Sequence, residues 1–315
     1  MKIICVALNP AMDKTIYVND FKIGRVNIID EMHYEVGGRG INVAKVLNNF
    51  EIKSIVTGFV GGVWAETFRT RLMKLGIETK FFKLLHDTRV NTKLIDRESG
   101  ECTSISEKGP FVPEELLERF IQSFTIMCKE DDIIVLSGGM LPGIKDDIYY
   151  ELTTIAKEKG AYVIVDSYGE VLKKTLPAKP DAIKVTYRDY VPEEYWGKIT
   201  KADFGYIVGQ VKQSDIDRIL ISLGDKGAIF IDKNTTYYAN SIDVGVKLRH
   251  PVGAGDAMVA TLVKSKLENM TPVASMKLAI ACGSTCVMSQ GITNCTEEQV
   301  VKLLPKVDVE KITAY

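Results

Sequence analysis

A chain of 315 residues can form one large α/β domain or two smaller ones, and it can bury a substantial hydrophobic core. Its 40 Lys and Arg residues balance 41 Asp and Glu residues, and the net charge of −1 gives no reason to expect nucleic acid or an anionic membrane as a partner. The apolar N-terminal run ends at Asn9, which is too short for a signal peptide, and no later run is long enough to cross a bilayer. We therefore expect a cytoplasmic protein.

Six cysteines and three histidines are scattered along the chain. They form no CxxC pair and no spacing that matches a structural zinc site. Cys282 and Cys286 lie one helical turn apart in an apolar stretch, a position typical of reduced core residues. A metal site at these two residues is the weaker alternative.

Most of the chain alternates short apolar runs with stretches of helical periodicity. Repeated β-then-α units favour an α/β fold with a central, mainly parallel sheet and helices on both faces. The predicted strands are 2–8, 54–60, 79–84, 133–136, 161–165, a short run reaching Lys184, 219–222 and 228–231. The predicted helices are 41–47, 65–75, 113–128, 145–159, 170–176, 255–267, 272–289 and a short one beginning at Thr296.

Two segments, 10–35 and 87–108, have a different pattern. Apolar and polar residues alternate in them, as in half-exposed antiparallel strands, and the second segment is predicted to form a hairpin. Because these strands leave and re-enter the main unit, we expect a small β-sheet lid inserted in a single domain that spans 1–315. The polar region 193–217 is expected to be helical in part.

The segment 249–260 contains the sequence GAGD at 253–256, followed by a run of helix formers. Pro251 and the two glycines disfavour a strand, so the turn is predicted to open onto a helix N-terminus. Such a terminus has unpaired N–H groups and the positive end of the helix dipole, which together bind anions. A carboxylate beside an anion site suits phosphoryl transfer to a hydroxyl group. The alternative is an aspartate that only caps the helix and stabilises it by about 1 kcal/mol.

A second glycine turn, GGRG at 37–40, also opens onto a predicted helix. Arg39 in this turn can clamp a phosphate, although a plain turn with a solvated arginine is the simpler alternative. Arg89 and Asn91 face the same side of the predicted hairpin, where they either grip a polar ligand or lie on the surface. The chain has no Walker A sequence and no GxGxxG after its first strand, which argues against a P-loop NTPase and a dinucleotide dehydrogenase.

The two glycine turns, at 37–44 and 251–258, resemble the two signatures of the ribokinase-like (PfkB) carbohydrate kinases. The resemblance extends along the chain and includes NPAMD at 9–13, TRVN at 88–91, SGGMLPG at 137–143 and SLG at 222–224. These motifs are most similar to those of the 1-phosphofructokinase and tagatose-6-phosphate kinase branch. Paired motifs in this order are specific, and they favour the catalytic interpretation of Asp256 over the capping one.

The resemblance implies a ribokinase-like fold and a sugar kinase that uses ATP and Mg²⁺. It implies that Asp256 is the catalytic base and that Gly253, Ala254 and Gly255 supply the anion hole. The implied sugar site is lined by Asp13, Gly38, Arg39, Asn42, Arg89, Asn91, Ser137 and Gly138. The implied nucleotide site is lined by Lys184, Ser222, Gly224, Gly227, Gly255, Ala279, Cys282 and Gly283.

At 184–189 the chain reads KVTYRD, where the family usually has Lys-Pro-Asn and then Glu three residues after the Asn. Thr186 and Asp189 therefore stand at the positions associated with magnesium, and both side chains are shorter than usual. Arg39 stands where lysine is common, and Ala257 stands where serine is common. Because of these replacements, weakened metal binding or reduced activity stays an open alternative.

We therefore expect MgATP to phosphorylate a ketohexose monophosphate, fructose 1-phosphate or tagatose 6-phosphate, to a bisphosphate. Arg39 and Arg89 favour a phosphorylated substrate, because an uncharged sugar offers them no anion to pair with. Two alternatives stay open. One is a ribokinase-type kinase of an unphosphorylated sugar or nucleoside, and the other is a catalytically weak sugar-phosphate-binding protein.

One face of the predicted lid is apolar. Ile16 and Val18 lie on this face of one strand, and Val90, Thr92 and Leu94 lie on it in another. A sheet this small needs something to pack against, so we expect a homodimer formed through the lid. A monomer whose lid folds back on its own core is the alternative.

Overall fold

The computed structural model describes residues 1–245, 253–288 and 295–312. Within these residues, the strands are β1 (Ile3–Ala7), β2 (Ala11–Val18), β3 (Glu31–Gly37), β4 (Ile55–Gly61), β5 (Glu78–Leu84), β6 (Val90–Asp96), β7 (Cys102–Ser106), β8 (Ile133–Ser137), β9 (Tyr162–Asp166), β10 (Ala182–Thr186), β11 (Arg218–Ser222), β12 (Ala228–Asp232), β13 (Thr235–Ala239) and β14 (Val309–Ile312). The α-helices are α1 (Arg39–Asn49), α2 (Ala65–Lys74), α3 (Glu114–Met127), α4 (Ile148–Glu158), α5 (Gly169–Thr175), α6 (Phe204–Lys212), α7 (Ala254–Leu267), α8 (Pro272–Met288) and α9 (Glu297–Leu303).

Ten strands form one sheet, in the order β14-β13-β12-β11-β10-β9-β8-β1-β4-β5. All neighbouring pairs from β11 to β5 are parallel, and β12, β13 and β14 extend the sheet as antiparallel strands. Every residue of β1, β4 and β8 is buried, because helices cover both faces of these strands. The strand order reverses between β8 and β1, and this reversal opens a crevice at their carboxyl ends.

The helices divide between the two faces of the sheet. Side chains of β1 alternate between the faces: Ile3 and Cys5 join one core cluster, and Ile4 and Val6 join the other. The first cluster is completed by α1, α2, α7, α8 and α9, and the second by α3, α4, α5 and α6. None of the helices in the described part of the chain has the length and apolar character needed to cross a membrane.

A separate four-stranded sheet has the order β3-β2-β6-β7. β2 and β6 are parallel, and the two outer pairs are antiparallel. Ile16 pairs with Met32 on one side and with Leu94 on the other, so these apolar side chains share one face, as predicted for Ile16 and Leu94. The sheet covers residues 11–37 and 90–106, close to the predicted segments.

The predicted order of strands and helices is confirmed with small shifts at element ends. α6 is the helical part of the polar region 193–217, and α9 follows the N-cap Thr296. β13 and β14 were not predicted, because their short sequences TTYYA and VEKI become strands only by pairing at the sheet edge. Residues 249–252 of the predicted glycine turn lie outside the described residues.

A substitution at Gly58 tests how closely the central strands β1 and β4 are packed. It lies in β4 with a φ of +144°, and a methyl group there would overlap the carbonyl oxygen of Ala7 on β1. We expect Gly58→Ala to lower the free energy of unfolding by roughly 2 kcal/mol or more, because the two strands must separate. Urea denaturation measures this change.

Gly209→Ala is the matched control, since an added methyl at this α6 position meets nothing within 4 Å. It should raise the free energy of unfolding by about 0.5–1 kcal/mol. Similar changes for the two variants would contradict the packing argument.

Candidate active site

Polar residues meet at the carboxyl ends of the parallel strands. β8 ends at Ser137, β9 at Asp166, β10 at Thr186 and β11 at Ser222. Ligands of open α/β sheets bind in the crevice at this edge, beside the reversal of strand order. The crevice is therefore the place where the predicted site residues can act together.

The start of α1 reaches this crevice because two glycines allow a close approach to β1. Gly38 is the N-cap of α1 with a φ of 114°, and a methyl group there would lie 2.8 Å from the Cα of Pro10. A methyl group at Gly40 would overlap a carbonyl oxygen of β1. Glycine is the residue that fits both positions, and it brings Arg39 and Asn42 to the crevice.

The start of α7 lies beside the start of α1, and a hydrogen bond joins them. Gly253, the N-cap of α7, has a left-handed φ of 91°. Asn42 Nδ2 donates to Asp256 Oδ2 at 2.7 Å, and both side chains are buried. The first amides of a helix, here those of Ala254 and Gly255, have no acceptor within the helix. The carboxylate of Asp256 thus lies in the first turn of α7, at the helix end that was predicted to bind an anion.

The environment of Asp256 makes it a stronger base than an exposed aspartate. Burial raises its pKa to about 6, and the charge of Asp166 adds to the rise. Arg39, the hydrogen bond from Asn42 and Lys184 act in the opposite direction. A carboxyl group with this pKa is mostly ionised at neutral pH and accepts a proton readily, as general base catalysis requires.

Asp166, at the end of β9, lies at the centre of the site, although it belongs to none of the sequence motifs. Its Oδ2 accepts a hydrogen bond from Ser137 Oγ at 2.8 Å. Its Oδ1 lies 3.5 Å from Arg39 Nη1 and 3.5 Å from Lys184 Nζ. Burial opposes its ionisation, but Lys184, Arg39 and Ser137 together hold the pKa of Asp166 below its usual value. Its position directly after a buried apolar run was the available sequence signal.

Arg39 forms one side of the crevice. Its guanidinium lies over the ring of Tyr168, 5.2 Å from the centroid. Its side chain passes Gly138, where an added methyl would contact Arg39 carbons at 3.5–3.8 Å. The Gly138 amide donates to the Asp166 carbonyl oxygen at 2.9 Å. The structure thus brings the predicted Arg39, Ser137 and Gly138 together around Asp166, while Asn42 contacts Asp256.

Asp13 is held in the small sheet by two neighbours on β6. Asn91 Nδ2 donates to Asp13 Oδ1 at 3.2 Å, and Lys93 Nζ lies 3.6 Å from Asp13 Oδ2. The register pairs Asp13 directly with Asn91. Lys93 was not predicted as a site residue, but it follows Asn91 at the spacing of two that places residues on the same side of a strand.

Arg89 lies on the same side of the hairpin as Asn91, as predicted, because its Nη1 donates to Asn91 Oδ1 at 3.1 Å. The guanidinium also has a structural task that the sequence did not indicate. It donates to three backbone carbonyl oxygens, those of Asn9 at 3.2 Å, Pro10 at 3.3 Å and Glu107 at 3.1 Å. These bonds fasten the hairpin to the segment that leads into β2.

Lys184 and Gly255, both predicted to line the nucleotide site, are close together. A methyl group at Gly255 would lie 2.7 Å from Lys184 Nζ, so the lysine reaches the first turn of α7. Ser222 Oγ donates to a carbonyl oxygen of β10 at 3.2 Å, and Gly224 has open space around it. Gly227 has a structural reason to be glycine, since a methyl group there would overlap a carbonyl oxygen of β13.

The predicted nucleotide residues of α8 lie inside the protein. Ala279, Cys282 and Gly283 are buried, and Cys282 Sγ lies 3.4 Å from Cys295 Sγ. A methyl group at Gly283 would lie 3.7 Å from the carbonyl oxygen of Ala254 on α7. These residues pack α8 against its neighbours, and the fully buried Cys282 side chain offers a ligand no open face.

Thr186 and Asp189 cap the short 3₁₀ turn that follows β10. Asp189 Oδ2 accepts from the Thr186 amide at 3.1 Å, and the Thr186 side chain bonds in return to the Asp189 amide. Burial raises the pKa of Asp189, and the nearby charge of Asp166 also raises it, whereas the Thr186 amide, Lys184 and Arg39 lower it.

The charge of Asp166 disfavours ionisation of Asp189, and a divalent cation near both would relieve this repulsion. Carboxylate oxygen atoms are donors that Mg²⁺ prefers. The described residues contain no group of three or more His, Cys, Asp or Glu that could hold a metal ion. Such a set is not required here, because Mg²⁺ is often held by one or two carboxylates together with substrate phosphates and water. Asp166 and Asp189 therefore fit Mg²⁺ bound with a nucleotide.

Comparison with known proteins finds similarity along almost the whole chain. The family model described as pfkB family carbohydrate kinase matches residues 5–299. The chain is 31% identical over 308 residues to the 1-phosphofructokinase of Bacillus subtilis, covering 98% of this chain and 99% of the relative. It is 30% identical over 315 residues to the tagatose-6-phosphate kinase of Staphylococcus epidermidis, covering 98% and 100%.

The fold is also found among solved structures. Phosphofructokinase-2 from Escherichia coli, in complex with potassium, superposes with a TM-score of 0.86 at 23% identity. The match covers 97% of this chain and 98% of that chain. The ribokinase-like fold predicted from the sequence is therefore confirmed.

The buried charge of Asp256 should cost stability at neutral pH. Its pKa is about 6 in the folded chain against 3.8 for an ordinary aspartate, so the folded state binds the proton more tightly. The resulting stabilisation is present below about pH 4 and is lost as the pH rises through about 6. We expect Asp256→Asn to unfold with a free energy about 2–4 kcal/mol higher than wild type at about pH 8, and nearly equal to wild type below about pH 4.

Urea denaturation at the two pH values measures this difference. Asp308→Asn, at an exposed aspartate, is the control and should show no such gain. A gain for Asp256→Asn that is equally large at both pH values would show that charge burial is not its cause.

Proposed function

The chain belongs to the pfkB family of carbohydrate kinases, and we propose that it transfers the terminal phosphoryl group of ATP to a hydroxyl group of a ketohexose monophosphate. The observation that carries this proposal is the buried Asp256 carboxylate at the start of α7, bonded to Asn42 and facing the charges of the crevice. The two relatives named 1-phosphofructokinase and tagatose-6-phosphate kinase support fructose 1-phosphate or tagatose 6-phosphate as the substrate.

In the proposed step, Asp256 accepts the proton of the attacking hydroxyl group. The hydroxyl oxygen forms a bond to the γ-phosphorus, the bond to the bridging oxygen breaks, and ADP leaves. Asn42 holds the carboxylate in place through the 2.7 Å hydrogen bond. With a pKa of about 6, Asp256 is still mostly ionised at neutral pH, and it is a better proton acceptor than an ordinary aspartate.

The charge of the transferring phosphoryl group is proposed to lie at the start of α7. The left-handed N-cap Gly253 exposes the amides of Ala254 and Gly255, and the helix dipole adds positive potential there. Lys184 reaches the same turn because Gly255 has no side chain. Amides and an ammonium group placed in advance stabilise the transition state without having to reorganise.

ATP is proposed to bind with Mg²⁺, which neutralises phosphate charge when it is present. Asp166 and Asp189 would hold the ion, and Thr186 would support Asp189 through their paired capping bonds. Ser222, Gly224 and Gly227, at and after the end of β11, would face the nucleotide. Ala279, Cys282 and Gly283 would support it from behind by fixing α8 against α7.

The sugar phosphate is proposed to lie between the crevice and the small sheet, which acts as a lid. Ser137, Gly138 and Gly38 would form the floor of this pocket, and Asp13 and Asn91 would bind sugar hydroxyl groups. The cations around the pocket are Arg39, whose side chain is 41% exposed, Lys93 and Arg89. Hydrogen bonds from such groups to a phosphate are strong, which favours a phosphorylated sugar.

We place the enzyme in the cytoplasm, where its proposed donor ATP is available. The near balance of acidic and basic residues supports small-molecule substrates over nucleic acid or an anionic membrane.

Activity on a panel of sugars tests the function. ADP release is measured with fructose 1-phosphate, tagatose 6-phosphate, fructose 6-phosphate and fructose. We expect kcat/KM for one phosphorylated ketohexose to exceed that for fructose by about tenfold to a hundredfold or more, since a charge-assisted hydrogen bond contributes about 1.5–3 kcal/mol. Highest activity on fructose would support the ribokinase-type alternative.

One oxygen of Asp189, a proposed magnesium ligand, already accepts a hydrogen bond from the Thr186 amide. This bond supports a second candidate function. In that case the protein is a weakly catalytic sugar-phosphate-binding protein. Calorimetric binding of a phosphorylated ketohexose without ADP release at saturating ATP and Mg²⁺ would support this function over the kinase.

Asp256→Asn tests the proposed base. We expect kcat to fall by about two to four orders of magnitude with little change in ATP affinity, which is the usual contribution of a general base. Wild-type kcat/KM should fall below about pH 6, where Asp256 becomes protonated. A variant that kept more than half of the wild-type kcat would identify Asp256 as a helix cap only.

The lid is also proposed to form a homodimer. Met32 and Ile105 are 46% and 60% exposed, and they lie on the same face of the small sheet as Ile16 and Leu94. A second copy can cover this apolar face, and a symmetric pair is the commonest assembly of soluble proteins.

Light scattering measures the assembly. Wild type should have twice the chain mass of 35.0 kDa at micromolar concentration. Ile105→Asp should reduce the mass to that of one chain, because it places a charge in the apolar interface. Ile126→Asp, at a residue of α3 that is 77% exposed and outside the small sheet, should remain dimeric. A wild-type mass of one chain would refute the dimer.

A further inference from the structure

Three reduced thiols that take no chemical part in the proposed phosphoryl transfer lie behind the proposed catalytic turn. Cys282 and Cys286 are one turn apart on α8, and Cys295 directly precedes the N-cap of α9. Each is at most 1% exposed. Cys282 Sγ and Cys295 Sγ are 3.4 Å apart. We propose that Cys282 and Cys295 form a covalent modification site, at which a hydroperoxide oxidises the two thiols to a disulfide that slows the kinase.

The hydrogen bonds of the cluster select Cys295 as the reactive thiol. Cys295 is hydrogen-bonded to both of the other thiols, and its Sγ also donates to the Cys282 carbonyl oxygen at 3.6 Å. Bonds from Cys282 and Cys286 lower the pKa of Cys295, and burial opposes this effect. The thiolate is the nucleophile in thiol oxidation, so Cys295 attacks the peroxide, and Cys282, whose sulfur lies 3.4 Å away, completes the bond.

The peroxide is the oxidant in this reaction. The Cys295 thiolate attacks one peroxide oxygen, the O–O bond breaks, and a sulfenic acid forms while the other oxygen leaves as water or an alcohol. The Cys282 thiol then attacks the sulfenic sulfur and releases water. The two thiols lose two electrons and two protons in total, and the peroxide is reduced. Forming the bond brings the sulfurs from 3.4 Å to about 2.05 Å.

Clustered thiols also commonly act as ligands of a metal ion. Among the described residues, however, no group of three or more His, Cys, Asp or Glu could hold a metal ion. The close approach of Cys282 and Cys295 is therefore better suited to a bond between two sulfurs than to coordination by three.

The thiols can affect catalysis because α8 packs directly on the first turn of α7. Gly283 lies between two of the cysteines, and a methyl group there would lie 3.7 Å from the Ala254 carbonyl oxygen and 3.4 Å from Met258 Cγ. The bond with Cys295 and burial raise the pKa of Cys286, and the charge of Asp256 raises it further. A disulfide that ties α8 to the start of α9 therefore acts on the support of the proposed anion hole.

Burial also determines when the reaction occurs. Since these side chains have almost no exposed surface, peroxide reaches them only during local opening of the packing around α8. The loss of activity depends on the proposed kinase function, whereas formation of the disulfide does not. Two separate readouts therefore test the two claims.

The first readout is the mass of the tryptic peptide 278–302, which contains all three cysteines and ends at Lys302. The intact protein is treated with hydrogen peroxide, blocked with iodoacetamide under denaturing conditions and digested. We expect the peptide to lose two hydrogens and to carry one alkyl group, on Cys286. Full alkylation of all three cysteines after treatment would refute the modification site.

The second readout is the activity of the same samples with the sugar that gives the highest rate. Peroxide should lower wild-type activity by about five- to a hundredfold, the usual range of coupling between sites, and dithiothreitol should restore it. Cys295→Ser and Cys295→Ala should resist, and Cys102→Ser, which removes an exposed thiol, should respond like wild type. Equal loss in the Cys295 variants, or a disulfide without loss of activity, would refute control by this site. If the reduced enzyme phosphorylates no sugar, the kinase proposal fails and the peptide mass alone decides the modification.

Discussion

The hydrogen bond between Asn42 and Asp256 is the interaction on which the site depends. It joins the starts of α1 and α7, two helices whose sequences are more than 200 residues apart. Each helix can start at the crevice because glycine residues remove side chains where the backbone turns or approaches a neighbour. The same bond fixes the direction of the carboxylate. One contact therefore links the two helix starts and orients the proposed catalytic carboxylate.

The surroundings of the two buried aspartates, Asp166 and Asp256, shift their pKa values in opposite directions. Asp166 has two cations at 3.5 Å and a hydroxyl donor, and it stays ionised despite its burial. Burial raises the pKa of Asp256 and the charge of Asp166 adds to the rise, while the hydrogen bond from Asn42 offsets only part of it. One carboxylate can then hold charged ligands while the other exchanges a proton. Pairs of acids whose surroundings move their pKa values apart are a recurring way to divide acid–base roles.

The sequence predicted the parts of the fold that depend on local pattern. Apolar runs identified the central strands, and alternation identified the small sheet, because burial on two faces or on one face leaves different patterns. It could not predict β13 and β14, which depend on pairing at the sheet edge. For the site, it identified Asp256 and Arg39 from their turns. Predicting Asp166 requires knowing which strand ends lie together in the sheet. Predicting the backbone hydrogen bonds of Arg89 requires knowing that its hairpin packs against Asn9, which is distant in sequence.

The unusual KVTYRD segment is explained in part by the turn that it forms. Threonine at the N-cap and aspartate three residues later satisfy each other's backbone amides, so Thr186 and Asp189 stabilise the 3₁₀ turn by themselves. An Asn-and-Glu pair has longer side chains, and Asp189 reaches less far from the same backbone. The capping bonds keep the turn closed at the end of β10, where Asp189 lies near the charges of Lys184, Arg39 and Asp166.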